Sequence, residues 1–279
     1  MTTFVFAAVL AAAIMHATWN ALIKARSDRF ASISIASLGM SFAALPALPF
    51  VDFPDAGVWR LIAASLSIHV GYRLFLVRAY EAGDLAQTYP LARGAAPLMT
   101  ALGAFALLGE TPTPVAVAGI ALLSFGTVLM SRLGGGGGVN PRAAGYALLT
   151  SLFIAAYTLV DGQGARLAAT ATSYAAWHFA CDGMISMAIG FATRGRRMAA
   201  AFAEEWRMGI FAGVLSAGSY WIALWAMTKA PIASVAALRE SSILFAMLIS
   251  VYALGEKATP WRIGAAAFIL AGVLALRLG

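Results

Sequence analysis

Runs of about 20 apolar residues recur along the whole chain, each closed by a charge, a proline or a glycine. At 1.5 Å per residue, roughly 20 apolar residues is what the hydrocarbon core of a bilayer asks of a helix. Ten such windows can be drawn, at 3–23, 31–51, 58–78, 85–108, 114–130, 143–160, 172–192, 208–227, 232–254 and 260–276. The chain is 61% hydrophobic and 11% charged, against roughly 25% charged residues in an ordinary soluble domain. The expectation is an all-α integral membrane protein with ten transmembrane helices and short loops.

The remaining composition narrows the function. A formal net charge of +7 does not point to nucleic acid, because the basic residues lie in the connections between apolar runs, as in the loops of polytopic membrane proteins. The single cysteine, Cys181, excludes an internal disulfide framework and supplies no metal-ligand spacing. No Lys or Arg precedes the first run, so it lacks the basic start of a signal peptide and reads as a retained helix. The sequence has no phosphate-binding glycine loop after a strand, no nucleophile elbow and no nucleotide-binding domain. Neither an enzyme nor an ATP-driven pump is expected, and no cofactor or metal.

The two halves of the chain resemble each other. At an offset of 146 residues Arg93 falls on Arg239, Gly109-Glu110 on Gly255-Glu256, Pro114 on Pro260 and Gly126 on Gly272. The run Gly134–Gly138, followed by Val139-Asn140-Pro141, is the only linker-like composition and sits at the midpoint. Residues 1–133 therefore read as a first five-helix repeat, 134–141 as a linker and 142–279 as a second five-helix repeat. An odd number of helices gives the two copies opposite orientations in the membrane, the plan of many transporters. Three arginines, Arg73, Arg93 and Arg239, lie deep in apolar windows; of the other sixteen Lys and Arg, twelve fall on the side of the first loop. The positive-inside rule then places both termini outside the cytoplasm.

Certain stretches also resemble a known family. "MHATWNALIK" (15–24), "AAYTLVDGQGAR" (155–166) and the paired helix ends "LLGETPTP" (107–114) and "ALGEKATP" (253–260) are similar to the drug/metabolite transporter superfamily, specifically its EamA-like ten-helix exporters. The resemblance covers essentially the whole chain. It implies a 5+5 inverted-topology repeat around a central cavity, with the fifth and tenth helices behind it, in a bacterial inner membrane. It also implies substrates such as amino acids, nucleotide-type metabolites or drugs.

The polar residues inside the windows are the candidate site. A charged side chain in hydrocarbon costs about 2.5–3.5 kcal/mol on insertion scales, so it faces a cavity or a partner. Arg93 and Arg239 are related by the repeat and are expected to flank the cavity, where they orient an anionic group or balance Glu240. Glu240 is expected to pair with Arg93 or Arg73. His69 and Arg73, four apart with Tyr72 between, share a helix face, as do His16 and Asn20 with Trp19 beside them. Tyr89, Trp19, Tyr157, Trp177 and Trp221 are expected as aromatic walls, and Asn20 as a polar contact of the site or a helix-joining hydrogen bond. His16, His69 and Glu240 are the candidate proton carriers. Asp161 reads as a solvated cap in an Asp-Gly turn, His178 with Asp182 as a hydrogen-bonded pair, and Glu110 and Glu256 as helix caps. Gly103, Gly109, Gly119, Gly126, Gly264 and Gly272 read as close-packing positions.

Taken together, the expected function is a monomeric secondary transporter that exports small amphipathic metabolites, most of all amino acids, by alternating access. Its partners would be a small-molecule substrate and the lipid bilayer. One alternative is a multidrug exporter of organic cations, which needs an unpaired intramembrane acid that only Glu240 offers. Another is an integral membrane enzyme or lipid-handling scaffold.

Overall fold

A computed structural model describes residues 1–24, 28–83, 85–131, 140–254 and 259–279. Gly134–Gly138 and the Gly255-Glu256 helix end expected from the repeat lie outside the described residues. Within them the chain forms eleven α-helices: α1 (Thr3–Lys24), α2 (Arg29–Ala44), α3 (Ala56–Ala82), α4 (Leu85–Leu108), α5 (Pro114–Ser131), α6 (Pro141–Leu167), α7 (Ala171–Arg194), α8 (Arg196–Met227), α9 (Ile232–Arg239), α10 (Ser242–Leu254) and α11 (Pro260–Leu278). A 3-10 turn, Leu45–Phe50, extends α2.

Helix starts follow local chemistry. The side chains of Asp28, Asp55, Asn140, Thr170 and Thr259 each accept a backbone N–H of the first turn that follows, relieving donors that have no partner within the helix. Pro141 and Pro260 occupy the first helical positions of α6 and α11, where a missing N–H costs nothing.

Eight spans are long and apolar enough to cross a membrane: α1, α2 with its 3-10 extension, α3, α4, α6, α8, α9 with α10, and α11. This is a multi-pass membrane protein. α5 is apolar but shorter, and α7 is diluted by His178, Asp182 and several hydroxyl residues. Three expected windows differ most from the observed helices. The sixth runs on to Leu167, because Asp161 and Gly162 continue the helix rather than turning. The eighth begins at Arg196, since its charged first turns are helical although not apolar. The ninth is interrupted at Glu240-Ser241, which use short i→i−3 hydrogen bonds to Ala237 and Leu238 in place of the α-helical pattern.

The polarity of the molecule is reversed relative to a soluble protein. Leu102, Phe105 and Leu107 on α4 and Phe125 on α5 point outward and are more than half exposed, whereas Arg93, Arg239, Glu240, Asp161, Asp182 and His178 are buried. Such an arrangement suits hydrocarbon outside and paired polar groups within. The most extensive helix contacts are α3 with α6, α5 with α11, α2 with α8 and α7, α4 with α6, and α1 with α8. Glycine permits the tightest of these. A Cβ on Gly272 would lie 2.7 Å from the Gly119 carbonyl oxygen, and one on Gly126 2.8 Å from the Ala265 carbonyl. Gly103 packs on Leu159, but Gly264 meets nothing within 4 Å and Gly109 is needed for its φ of +66° at the end of α4, so these last two are not packing positions.

Candidate functional site

α4, α6, α9 and the turn after α9 enclose a cavity of about 10 Å³ lined by Arg93, Pro97, Thr100, Tyr157, Thr158, Arg239 and Glu240, with Ala96, Ile154 and Ala236. That is room for about one water molecule. No residue of α5 or α11 is among those that line it. Its backbone is unusual on both sides. Pro97 has no N–H, so the Arg93 carbonyl loses its helical donor, and α9 ends at Arg239 with α10 beginning at Ser242. Arg239 thus lies at a helix C-terminus and Glu240 just before a helix N-terminus, where the backbone dipoles favour each charge.

Arg93 and Arg239, which align at the 146-residue offset of the sequence, differ in their partners. Arg93 Nε donates to Glu240 Oε2 at 2.9 Å, and its Nη2 lies 2.8 Å from Oε1, a forked pair that is almost wholly buried. Behind it, Arg93 Nη2 lies 3.2 Å from His16 Nε2, while the Trp19 indole N–H points at His16 Nδ1 from 3.3 Å. Arg and Trp only donate and a neutral imidazole has one lone pair, so His16 serves one of these donors at a time. Arg239 is 9% exposed and has no acid within ion-pair reach among the described residues. Its guanidinium lies 4.8 Å over the Tyr220 ring, a cation–π contact, and its Nε has no hydrogen-bond partner.

Arg73 neither joins Glu240 nor faces the cavity. Its Nη2 donates to Asp182 Oδ1 and Oδ2 at 2.6 and 2.7 Å, and Ser186 accepts from its Nη1. The expected His178–Asp182 pair is therefore replaced by Arg73–Asp182, because the guanidinium offers the stronger, forked partner. Asp161 is likewise not a solvated cap. It is fully buried, with Tyr174 donating to Oδ1 at 2.7 Å and Tyr220 donating to Oδ2. His178 Nε2 lies 3.8 Å from Asp161 Oδ1 and 3.0 Å from Ser65 Oγ. His69 stacks on Tyr157 with ring centroids 4.2 Å apart, and its Nδ1 donates to the Ser65 carbonyl at 2.9 Å.

His69, Asp161 and His178 are the described residues nearest to a metal-ligand set, their donor atoms lying within 4.8 Å of one another. They do not fit one as placed. Ligands at about 2.0–2.2 Å from a tetrahedral zinc would sit closer together, the Ser65 hydroxyl contacts both imidazoles, and both Asp161 oxygens already accept phenol hydroxyls.

Of the other expected site residues, Tyr157 lines the cavity and Tyr89 lies one turn before Arg93 on the same face of α4. Asn20 donates its amide to the His16 carbonyl at 2.8 Å, within its own helix. Trp177 joins Phe53 and Trp59 and donates to the Asp52 carbonyl at 3.2 Å. Trp221 donates to Thr172 Oγ1 at 3.2 Å and meets the edge of Phe179; neither tryptophan lines the cavity. Sequence reasoning missed Ser65, Thr100 and Thr158, and placed Tyr220 only as an aromatic alongside Trp221 on α8.

At the far end of α4, Glu110 Oε1 accepts the first N–H of α9, from Ile232, at 3.1 Å and pairs with Arg166 at 2.7 Å. Glu110 is thus a helix cap as expected, though of α9 rather than of the helix that follows it. Glu256 lies outside the described residues.

Comparison with known proteins adds the family context. The sequence model of the EamA-like transporter family matches twice, over residues 3–132 and 141–278. No curated protein matches the chain. Among solved structures, 29 chains match; one, described as "Crystal structure of protein", is similar with a TM-score of 0.77 and 18% identity over 100% of this chain and 98% of that one. At that identity the likeness speaks for the fold alone.

Proposed function

Since the chain belongs to the EamA-like transporter family, we propose that it is a secondary transporter that exports small amphipathic metabolites, amino acids foremost, across a bacterial inner membrane by alternating access. The observation that carries the substrate reading is Arg239. A guanidinium buried without an acid is unfavourable by several kcal/mol after relaxation, and a substrate carboxylate at the cavity would complete it. An organic-cation exporter needs a free acid at the same place, and Glu240 is held by Arg93 at 2.8 Å. We assign Arg93 and Glu240 to the cavity frame, Arg239 to the substrate's anionic group, and Tyr157 and Tyr89 to its walls.

The 5+5 reading, with 1–133 and 142–279 as repeats and 134–141 as linker, is supported by the two separate family matches. It is also supported by mirrored packing: α3 lies on α6 as α8 lies on α1, and α4 lies on α6 as α9 and α10 lie on α1. In that reading α9 and α10 form one discontinuous ninth span, the kind of element that builds midplane sites in transporters. Room for about one water suits an occluded state that opens by bending at Pro97 and at the Glu240-Ser241 turn. The loop charges favour termini outside the cytoplasm, which predicts that Thr2→Cys in a Cys181→Ser background is labelled by an impermeant maleimide on intact cells.

The test is counterflow in proteoliposomes with a panel of amino acids, nucleosides and organic cations. Counterflow of amino acids that falls at least tenfold in Arg239→Gln is the expected result. Flux confined to cations, or undiminished in Arg239→Gln, would remove the basis for the reading.

A further inference from the structure

The polar core contains the half-buried Arg73 and the buried Arg93 and Arg239, and beside them three buried acids, Asp182, Glu240 and Asp161; a further buried acid, Glu205 on α8, accepts from the Ser32 hydroxyl instead. Two of each pair off, Arg73 with Asp182 and Arg93 with Glu240. One cation and one anion are left, and they sit on either side of a single phenol. The Arg239 guanidinium rests on the Tyr220 ring, and the Tyr220 hydroxyl donates to Asp161. Asp161 therefore has neutral hydrogen-bond donors but no arginine or lysine.

The nearest group able to carry a positive charge to Asp161 is His178, and its bonding is incomplete. The Ser65 carbonyl accepts from His69 Nδ1, which fixes that proton on His69 and leaves the Ser65 hydroxyl free to serve His178 Nε2. If Ser65 donates, the His178 proton resides on Nδ1; if Ser65 accepts, Nδ1 carries the lone pair. In both cases Nδ1 is wrong for its surroundings, because it is buried with no hydrogen-bond partner in a residue only 2% exposed. Buried polar atoms in native proteins are nearly always satisfied. A carboxylate without a cation beside an imidazole with an unmatched nitrogen is a pair to which one proton can be added, giving an imidazolium 3.8 Å from a carboxylate or a neutral acid held by two phenols.

We propose that Asp161 and His178 form the proton-carrying site of this transporter, connected to the substrate cavity through Tyr220. The proposal rests on the transport reading above and adds the coupling ion and its residues. One proton enters from one aqueous face when the site opens to it and leaves to the other after the halves rock; no bond other than N–H or O–H is made or broken. With the proton on board, Asp161 is no longer an uncompensated charge, and the carrier empty of substrate can cross. Without it, the empty carrier holds Asp161 as a buried carboxylate with no cation, which is unfavourable; substrate bound at Arg239 takes the proton's place in allowing the crossing. An exporter using this site exchanges substrate for protons.

The groups that face the pair come from every neighbouring helix. α3 brings Ser65 and His69; α6 brings Tyr157; α7 brings Tyr174 and, one turn on, Asp182 held by Arg73; α8 brings Tyr220. Beyond that ring the neighbouring polar groups are engaged elsewhere: on α2, Ser37 accepts from Arg73 and Ser41 donates to the Phe179 carbonyl, on α4 Arg93 is held by Glu240, and on α9 Arg239 lies over the Tyr220 ring. Among the described residues, no other buried group combines an unpaired acid with an unmatched base.

Purified full-length protein in liposomes with an entrapped pH-sensitive dye separates the possibilities. For a substrate that passes the panel above, wild type is expected to show both counterflow and substrate-dependent proton movement opposite in direction to the substrate. Asp161→Asn is expected to keep counterflow within about twofold and to lose proton movement and pH-driven accumulation by at least tenfold. His178→Gln makes the same prediction and serves if Asp161→Asn does not reach the membrane. Wild-type counterflow without proton movement, or proton movement that persists in both variants, would overturn the assignment while leaving transport intact. Absence of counterflow in wild type would overturn the transport reading and this proposal with it. Zinc-stimulated counterflow abolished in His178→Gln would also overturn it, by making the trio a metal site.

Discussion

Arg93 and Arg239 align at the 146-residue offset of the sequence, yet only the removal of Arg93 is expected to destabilise the fold. Arg93 forks onto Glu240 at 2.9 and 2.8 Å, with side chains 8% and 6% exposed. Arg93→Gln strands Glu240 as a buried, unpaired carboxylate. Breaking such a pair from one side costs about 3–5 kcal/mol. At about 2–4 °C per kcal/mol for a chain of this size, the melting temperature should fall by roughly 6–20 °C. Arg239→Gln loses a cation–π contact worth about 0.5–2 kcal/mol, but it also removes a guanidinium buried without an acid, whose desolvation is several kcal/mol. The second effect is the larger, so stability should hold or rise. Tryptophan fluorescence melts in detergent, without ligand, read both variants. Arg93→Gln combined with Glu240→Gln should recover part of the loss, because the stranded charge is gone. Equal falls for the two single variants, or a fall of less than about 1 kcal/mol for Arg93→Gln, would refute the charge accounting of the core.

Other perturbations follow from particular contacts. Gly272→Ala places a Cβ 2.7 Å from both the Gly119 carbonyl oxygen and the Leu123 nitrogen, backbone atoms that cannot step aside. It should cost about 1–3 kcal/mol in a thermal melt, whereas Gly264→Ala, with nothing within 4 Å, should cost nothing measurable. Tyr220→Phe removes one of two donors to Asp161 but keeps the ring under Arg239; a loss of about 1–3 kcal/mol is expected, and an unchanged melt would show that Asp161 does not need it. Glu110→Gln weakens both the α9 cap and the Arg166 pair. Hydrogen exchange should then rise in the first turn of α9 and not in α11.

Much of the fold was legible because the bilayer imposes a length and a composition that a sequence cannot disguise. The charges, prolines and glycines that bound the apolar runs placed the starts of α3, α6, α7 and α11 within about two residues, and the sequence offset paired Arg93 and Arg239, which meet at one cavity. What was not legible depended on partners distant in sequence. Asp161 looked like a turn residue because Asp-Gly ends many helices, and nothing local indicates that Tyr174 and Tyr220, from two other helices, will close over it. Asp182 was set beside His178 by i, i+4 spacing, but the winning partner, Arg73, arrives from α3. The tryptophans were placed by composition as cavity walls. Trp177 and Trp221 instead donate to the Asp52 carbonyl and to Thr172, because an indole N–H in an apolar setting is held by whichever acceptor it can reach. The break at Glu240-Ser241 carries no proline or glycine, so no helix-breaking residue announced it.

The central claim is that a substrate carboxylate completes Arg239. It is tested most directly by ligand-induced stabilisation of the purified protein with an amino acid, its primary amide and its decarboxylated amine. A ligand at 100 times its Kd adds about 2.7 kcal/mol to the folded state, which a melt resolves easily. The account predicts that, in wild type, the amino acid raises the melting temperature while the amide and amine do not, and that no rise occurs in Arg239→Gln. Equal stabilisation by the amine, or an undiminished response to the amino acid in Arg239→Gln, would contradict it.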